Sequence, residues 1–171
     1  MAAVEGPVDL VSQISWAAVE CLNEDEAKPA ANALKEGLRD QDALQLQSDA
    51  DEQLLLTVPF SQVVRLHSIR IKGPADGTGP KTVKFFVNQP SMGFEDAESH
   101  TPAQTLTLDA AALAGEKLIP LHFVKFQRVS QVSVFFADNQ GGTDDVTCVS
   151  RIDLAGMTVE TTNMKDFKKV G

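Results

Sequence analysis

The chain has 171 residues, 43% of them hydrophobic and 23% charged, a balance that fits one globular domain with a proper core. Its 24 acidic residues outnumber the 15 basic ones, for a net charge of −9 that repels phosphate backbones and argues against a nucleic-acid partner. With only Cys21 and Cys148, the composition also argues against a disulfide scaffold or a zinc knuckle.

The first segment, residues 1–43, is rich in Ala, Glu and Asp. Met1 to Asp9 lacks the basic stretch and apolar run of a signal peptide. Leu10, Ile14, Ala17, Ala18 and Cys21 recur at helical spacing, which predicts a short helix over Asp9–Val19 with Asp9 as its cap. Pro29 and Gly37 bracket a second helical turn expected over Ala31–Leu38.

From Leu44 onward the pattern changes to short β-like runs. These are Leu44–Gln47, Gln53–Val58, Val63–Lys72, Thr82–Asn88, Thr105–Leu108, Ile119–Gln127, Gln131–Ala137, Val146–Leu154 and a last one over Met157–Thr161. Val83, Phe85 and Val87 share one face, as do Val132, Val134 and Phe136. Val146, Cys148, Ile152 and Leu154 line an apolar face, with Thr147, Arg151 and Asp153 opposite. Gly73-Pro74, Asp76–Pro80 and Asn139–Gly142 break the runs as turns. Many short strands without long helices between them predict an all-β, antiparallel jelly-roll sandwich with short N-terminal helical segments. No apolar stretch approaches the roughly 20 residues that span a bilayer, and no N-x-Ser/Thr sequon is present. A reducing, cytoplasmic setting is expected, with the nucleus as a second compartment.

Chemistry-bearing residues are scattered. His67, His100 and His122 have no partners in sequence, and no G-x-S-x-G elbow is present. Glu20 and Glu24 flank Cys21 and disfavour its thiolate, and Cys148 falls on an apolar strand face, so both read as structural. Gly73, Gly77 and Gly79 do not match a phosphate loop and read as a hairpin turn. Asp49, Asp51 and Glu52, and Asp138, Asp144 and Asp145, could in principle hold calcium, but Leu54 stands where an EF-hand needs glycine, so solvated loops are the plainer reading. Glu95, Asp96 and Glu98 fall in an expected loop, too close together to flank a glycosidic bond. No catalytic residue, metal or cofactor is expected. The segment Asn163, Met164, Lys165, Asp166, Phe167, Lys168 and Lys169 mixes apolar anchors with lysines. It reads equally as a partner-binding tail, through Asn163, Met164, Asp166, Phe167, Lys168 and Lys169, or as a strand end whose Phe167 covers the sandwich edge.

Several stretches together resemble one family. They are Cys21–Glu24, Ser48–Leu55, Gly73–Pro90, Ser91–Glu95, Val124–Gln127 with Val129, Asn139–Gly141 and Thr162–Lys168. In this order and spacing they resemble the PITH domain (proteasome-interacting thioredoxin domain), as found behind thioredoxin in thioredoxin-like proteins. The resemblance runs from Asp9 to Gly171 and leaves residues 1–8 as a flexible N-terminus. It implies a jelly roll related to galactose-binding-like domains. It also implies association with the regulatory particle of the 26S proteasome, and the expected module is non-enzymatic, monomeric and in contact with neither nucleic acid nor membrane. A carbohydrate- or small-ligand-binding sandwich is the alternative, although the chain has no Tyr and a single Trp, Trp16. The thioredoxin C-x-x-C pair is absent from this sequence, so redox activity does not carry over.

Overall fold

The computed structural model describes residues 7–159, which exclude the tail Asn163–Lys169 and most of the expected flexible N-terminus. Along the chain run β1 (Val8–Asp9), β2 (Glu20–Leu22), α1 (Ala31–Leu34), β3 (Leu46–Gln47), β4 (Leu54–Lys72), β5 (Thr82–Val87) and α2 (Phe94–Ser99). They are followed by β6 (Gln104–Thr107), α3 (Ala110–Leu113), β7 (Ile119–Pro120), β8 (Val129–Phe136), β9 (Cys148–Val149) and β10 (Arg151–Thr158).

β4 spans 19 residues and belongs to both layers of the sandwich. Its first half pairs with β2 and β8, and β8 pairs onward with β5 and β5 with β6. Its second half pairs with β10 and β7, and β10 pairs with β1. All of these pairings are antiparallel, and β3 forms a separate ribbon with β9. Two strands, Gln53–Val58 and Val63–Lys72, were expected here, with Pro59 between them. The strand continues because Pro59 lies beyond the end of pairing with β2 at Thr57, where its carbonyl accepts the Ser15 N–H at 2.9 Å. The register with β8 then shifts between Pro59 and Val64, as β4 passes from one layer to the other.

The core lies between the layers. Leu54, Leu56, Val58, Val83, Phe85, Val132, Val134 and Phe136 meet Val64, Leu66, Ile69, Ile71, Ile152 and Leu154, all fully or nearly fully buried. The expected faces of β5 and β8 are therefore the observed ones, with Val87 packed at the edge. In β4 the core positions change phase between Leu66 and Ile69. The cause is a bulge: Ala155 pairs with Ser68 and Gly156 with Leu66, so His67 has no opposite residue.

Several elements differ from expectation. Asp9–Val19 is not one helix but β1 followed by two 3₁₀ turns, Val11–Gln13 and Trp16–Ala18. Tertiary pairing prevails over the helical spacing, since Ile14 bridges to Phe60; Asp9 still caps, accepting the Val11 N–H at 3.0 Å. α1 stops at Leu34, and Gly37 takes a left-handed φ of 92° beyond it. Glu95, Asp96 and Glu98 belong to a helix, α2, rather than a loop. Asp96 accepts the Gly93 N–H at 2.9 Å, and acids in the first turn suit the helix dipole. α2 covers the outer face of the first layer, where Phe94, Ala97 and Phe86 enclose Phe135 and Leu55. The run Ile119–Gln127 is strand only at Ile119–Pro120 and then a 3₁₀ turn, Phe123–Phe126. The Gln104 side chain takes the His122 N–H at 2.7 Å, and Phe126 packs edge-on against Phe85, with 6.5 Å between centroids. Finally, Val146–Leu154 breaks at Ser150, so that Val149 rather than Cys148 joins the main core.

Candidate functional site

The acidic groups singled out in the sequence are largely structural. Asn23, held at a φ of 70°, donates to Asp51 Oδ1 and the Gln53 carbonyl and accepts the Ala50 N–H. Asp51 thus shapes a turn, while Asp49 is exposed. Asp138 accepts the Thr82 N–H at 2.7 Å and its hydroxyl at 3.2 Å, while Asp144 and Asp145 are exposed. Among the described residues, no three His, Cys, Asp or Glu side chains gather as a metal site. His67 contacts the Ser68 hydroxyl, His100 lies 3.7 Å from Asp96, and His122 is exposed.

Cys21 is half-buried, and burial together with Glu24 and Glu20 pushes its thiol far above the ordinary range. Burial likewise raises the Cys148 thiol, whose Sγ contacts Gln47 Oε1 at 3.6 Å. We expect the native protein to alkylate with iodoacetamide at pH 8 at least about tenfold more slowly than the urea-unfolded chain. Equal rates would contradict this account of the thiols.

The loop Gly73–Pro80 is not a hairpin turn, because β8 lies between β4 and β5. It is a crossing that docks onto the Asn139–Gly142 turn. Gln140 N–H donates to the Gly79 carbonyl, Gly141 N–H to that of Gly77, and the Gln140 side chain reaches the Pro80 and Leu108 carbonyls. A Cβ on Gly79 would stand 2.7 Å from Leu113 Cδ1 and 2.8 Å from the Pro74 carbonyl oxygen, so glycine is required there. Between this loop, the turn and α3 lies an apolar cleft of about 320 Å³, lined by Pro74, Ala75, Ala110, Leu113 and Ala114. Two of the sequence stretches that carry the family resemblance therefore meet at one cleft.

A charge cluster, not foreseen, ties β10 to β4 and to the segment after α1. Asp153, nearly fully buried, lies 2.8 Å from Arg39, Arg70 and Arg151. Arg39 also holds Asp9, and Asp40 joins Lys72 and Arg151. The Lys72 ammonium hydrogen-bonded to Asp40 keeps that carboxyl below the usual range. Arg151 and Asp153 were expected to face away from the apolar side. That much was legible, but their partners come from other strands.

Among the described residues, the most exposed large apolar side chains are Val124 at 81% and Phe123 at 67%, in the 3₁₀ turn after β7. Beside them opens a smaller cleft of about 110 Å³ lined by Arg65, His67, Pro120, Leu121, Phe123 and Met157. Sequence reading missed this pair because it lay inside an expected strand. The available signal was two adjacent apolar residues between His122 and Lys125, which breaks strand alternation.

Comparison with solved structures places the fold among galactose-binding-like jelly-roll β-sandwiches. It resembles CBM32-3 of a family 31 glycoside hydrolase from Clostridium perfringens, with TM-score 0.61 and 16% identity over 91% of this chain and 98% of that one. It also resembles the family 32 carbohydrate-binding module of NanJ from the same organism in complex with galactose (TM-score 0.61, 10% identity, 89% and 99% covered). The family model of the PITH domain matches residues 2–171. The chain belongs to the PITH domain family. It is 38% identical to thioredoxin-like protein 1 of Schizosaccharomyces pombe over 99% of its own length, and spans 58% of that relative. It is 35% identical to a PITH domain-containing protein of Drosophila melanogaster and 32% identical to PITH domain-containing protein 1 of Homo sapiens. Each match covers 88% of this chain and 70% of the relative.

Proposed function

We propose that this chain is a non-enzymatic protein-interaction module that associates with the regulatory particle of the 26S proteasome in the cytoplasm and nucleus. The observation that carries the reading is the family match over residues 2–171. The chemistry of the described residues supports it: His67 and His100 contact a hydroxyl and a carboxylate, His122 faces solvent, the carboxylates shape turns, form ion pairs or face solvent, and burial raises both thiols. A surface, rather than a reactive constellation, is left to act. The likeness to carbohydrate-binding modules is one of fold. Trp16 is half-buried and has Lys35 Nζ at 5.3 Å from its ring centroid, which takes one face a sugar would stack on.

Gradient sedimentation of the purified chain with purified 26S particles, and with 20S core particles alone, tests this reading. The chain is expected to migrate with the 26S particle and to stay at the top of the gradient with the core alone. Remaining at the top in both would overturn it.

A further inference from the structure

The two segments that supply Phe123, Val124 and every residue but Met157 of the cleft beside them carry charge opposite in sign to that of the whole chain. From Gln53 to Ala75 and from Lys117 to Ala137 every charged residue is cationic, in a chain of net charge −9. In the first segment Arg70 and Lys72 are neutralised by Asp153 and Asp40. Arg65, Lys125 and Arg128 form no ion pair among the described residues. Arg65 lines the small cleft next to Phe123, and its buried Nε has no hydrogen-bond partner. That Nε is closed to solvent, so an incoming carboxylate would meet the terminal nitrogens of the half-buried guanidinium, whose charge no carboxylate among the described residues balances. The neighbouring walls, Pro120, Leu121, Phe123 and Met157, are apolar and enclose room for roughly one aliphatic or aromatic side chain.

We propose that this surface docks an acidic peptide segment of a partner protein. One apolar side chain of that segment enters the cleft against Phe123 and Met157, and its flanking carboxylates face Arg65, Lys125 and Arg128. The assignment rests on the reading of the chain as an interaction module and adds to it the face used and the chemistry recognised. An apolar anchor surrounded by charges that steer and orient the partner is the usual division of labour at such interfaces.

The probes are three fluorescent peptides of equal length, alternating Glu with Leu, Glu with Ser, and Lys with Leu. The Glu-Leu peptide is expected to bind most tightly, and added salt is expected to weaken it. Two double variants, Phe123→Ser with Val124→Ser and Lys125→Glu with Arg128→Glu, are each expected to weaken it about tenfold or more. All four side chains are exposed, so the melting temperature should hold. Equal binding by the variants, or equal binding of the Lys-Leu peptide, would overturn the proposal. So would a concentration-dependent dimer that the Phe123→Ser, Val124→Ser variant dissolves, since a second copy would then be the occupant. Sedimentation with 26S particles separates the two readings. Wild type and both variants migrating together with the particle would sink this surface and leave the proteasome reading standing. Peptide binding by a wild type that ignores the particle would do the reverse.

Discussion

Replacing Gly156 by alanine is expected to cost about 3–5 kcal/mol, a large part of the stability of a domain this size. The reason is a backbone contact that no rotamer can relieve. A Cβ at Gly156 would stand 1.9 Å from the Arg65 carbonyl oxygen and 3.1 Å from Leu66 Cα. The bulge at His67 brings β4 this close to β10, so relief requires the two strands to separate just where β4 changes phase. That region carries Leu66, Ile69 and Leu154 into the core. The same substitution at Gly93, where a Cβ meets nothing within 4 Å, should cost about 1 kcal/mol or less, as the loss of an N-cap residue. Urea unfolding of the two variants checks the contrast. A loss below about 1 kcal/mol at Gly156 would mean that the strands are not in contact there.

Asp153→Ala is the second large effect, with an expected loss of about 3 kcal/mol. Asp153 is nearly fully buried on β10 and faces three guanidinium groups. Removing the carboxylate leaves three positive charges facing one another. Arg39 is the worst placed, because its side chain is only 9% exposed, whereas Arg70 and Arg151 retain some water. That solvation puts the expected loss at the lower end of the range for breaking a buried ion pair. Asp153→Asn keeps the volume and separates charge from packing; it should lose most of the same amount. Asp9→Ala removes a 40% exposed partner of Arg39 together with the acceptor of the Val11 N–H and should cost about 1 kcal/mol. Thermal and urea unfolding report all three. Equal effects of Asp9→Ala and Asp153→Ala would show that the cluster is not organised around Asp153.

The layers were legible where a single face is buried. The alternation of Val132, Val134 and Phe136 and of Val83 and Phe85 places both strands correctly, because a period of two has only one way to meet a core. What was not legible depends on contacts distant in sequence. The runs Gln53–Val58 and Val63–Lys72 read as separate strands until Ile14 and Ser15 are seen to pair with Phe60 and Pro59 between them. The change of phase at His67 is invisible without Ala155 and Gly156 opposite. α2 looked like an acidic loop because its stability rests on Phe94 packing against Phe135, with rings 6.1 Å apart. Of the candidate site, the family stretches were readable as strings, and the structure adds what some of them do. Asn23 locks the 49–53 turn, and Gln140 bridges two carbonyls behind the loop at Gly79. Phe123 and Val124 escaped notice because exposure is decided by the neighbours that Gln104 and Phe126 bring, not by the pair itself.

Cross-linking the purified chain to intact 26S proteasomes with a lysine-reactive reagent, followed by mass spectrometry, tests most directly whether this sandwich works as a docking module. The account predicts saturable cross-links to regulatory-particle subunits, concentrated at Lys117 and Lys125 and lost when unlabelled chain is added in excess. Cross-links confined to the core particle, or adducts that excess unlabelled chain leaves unchanged, would contradict it.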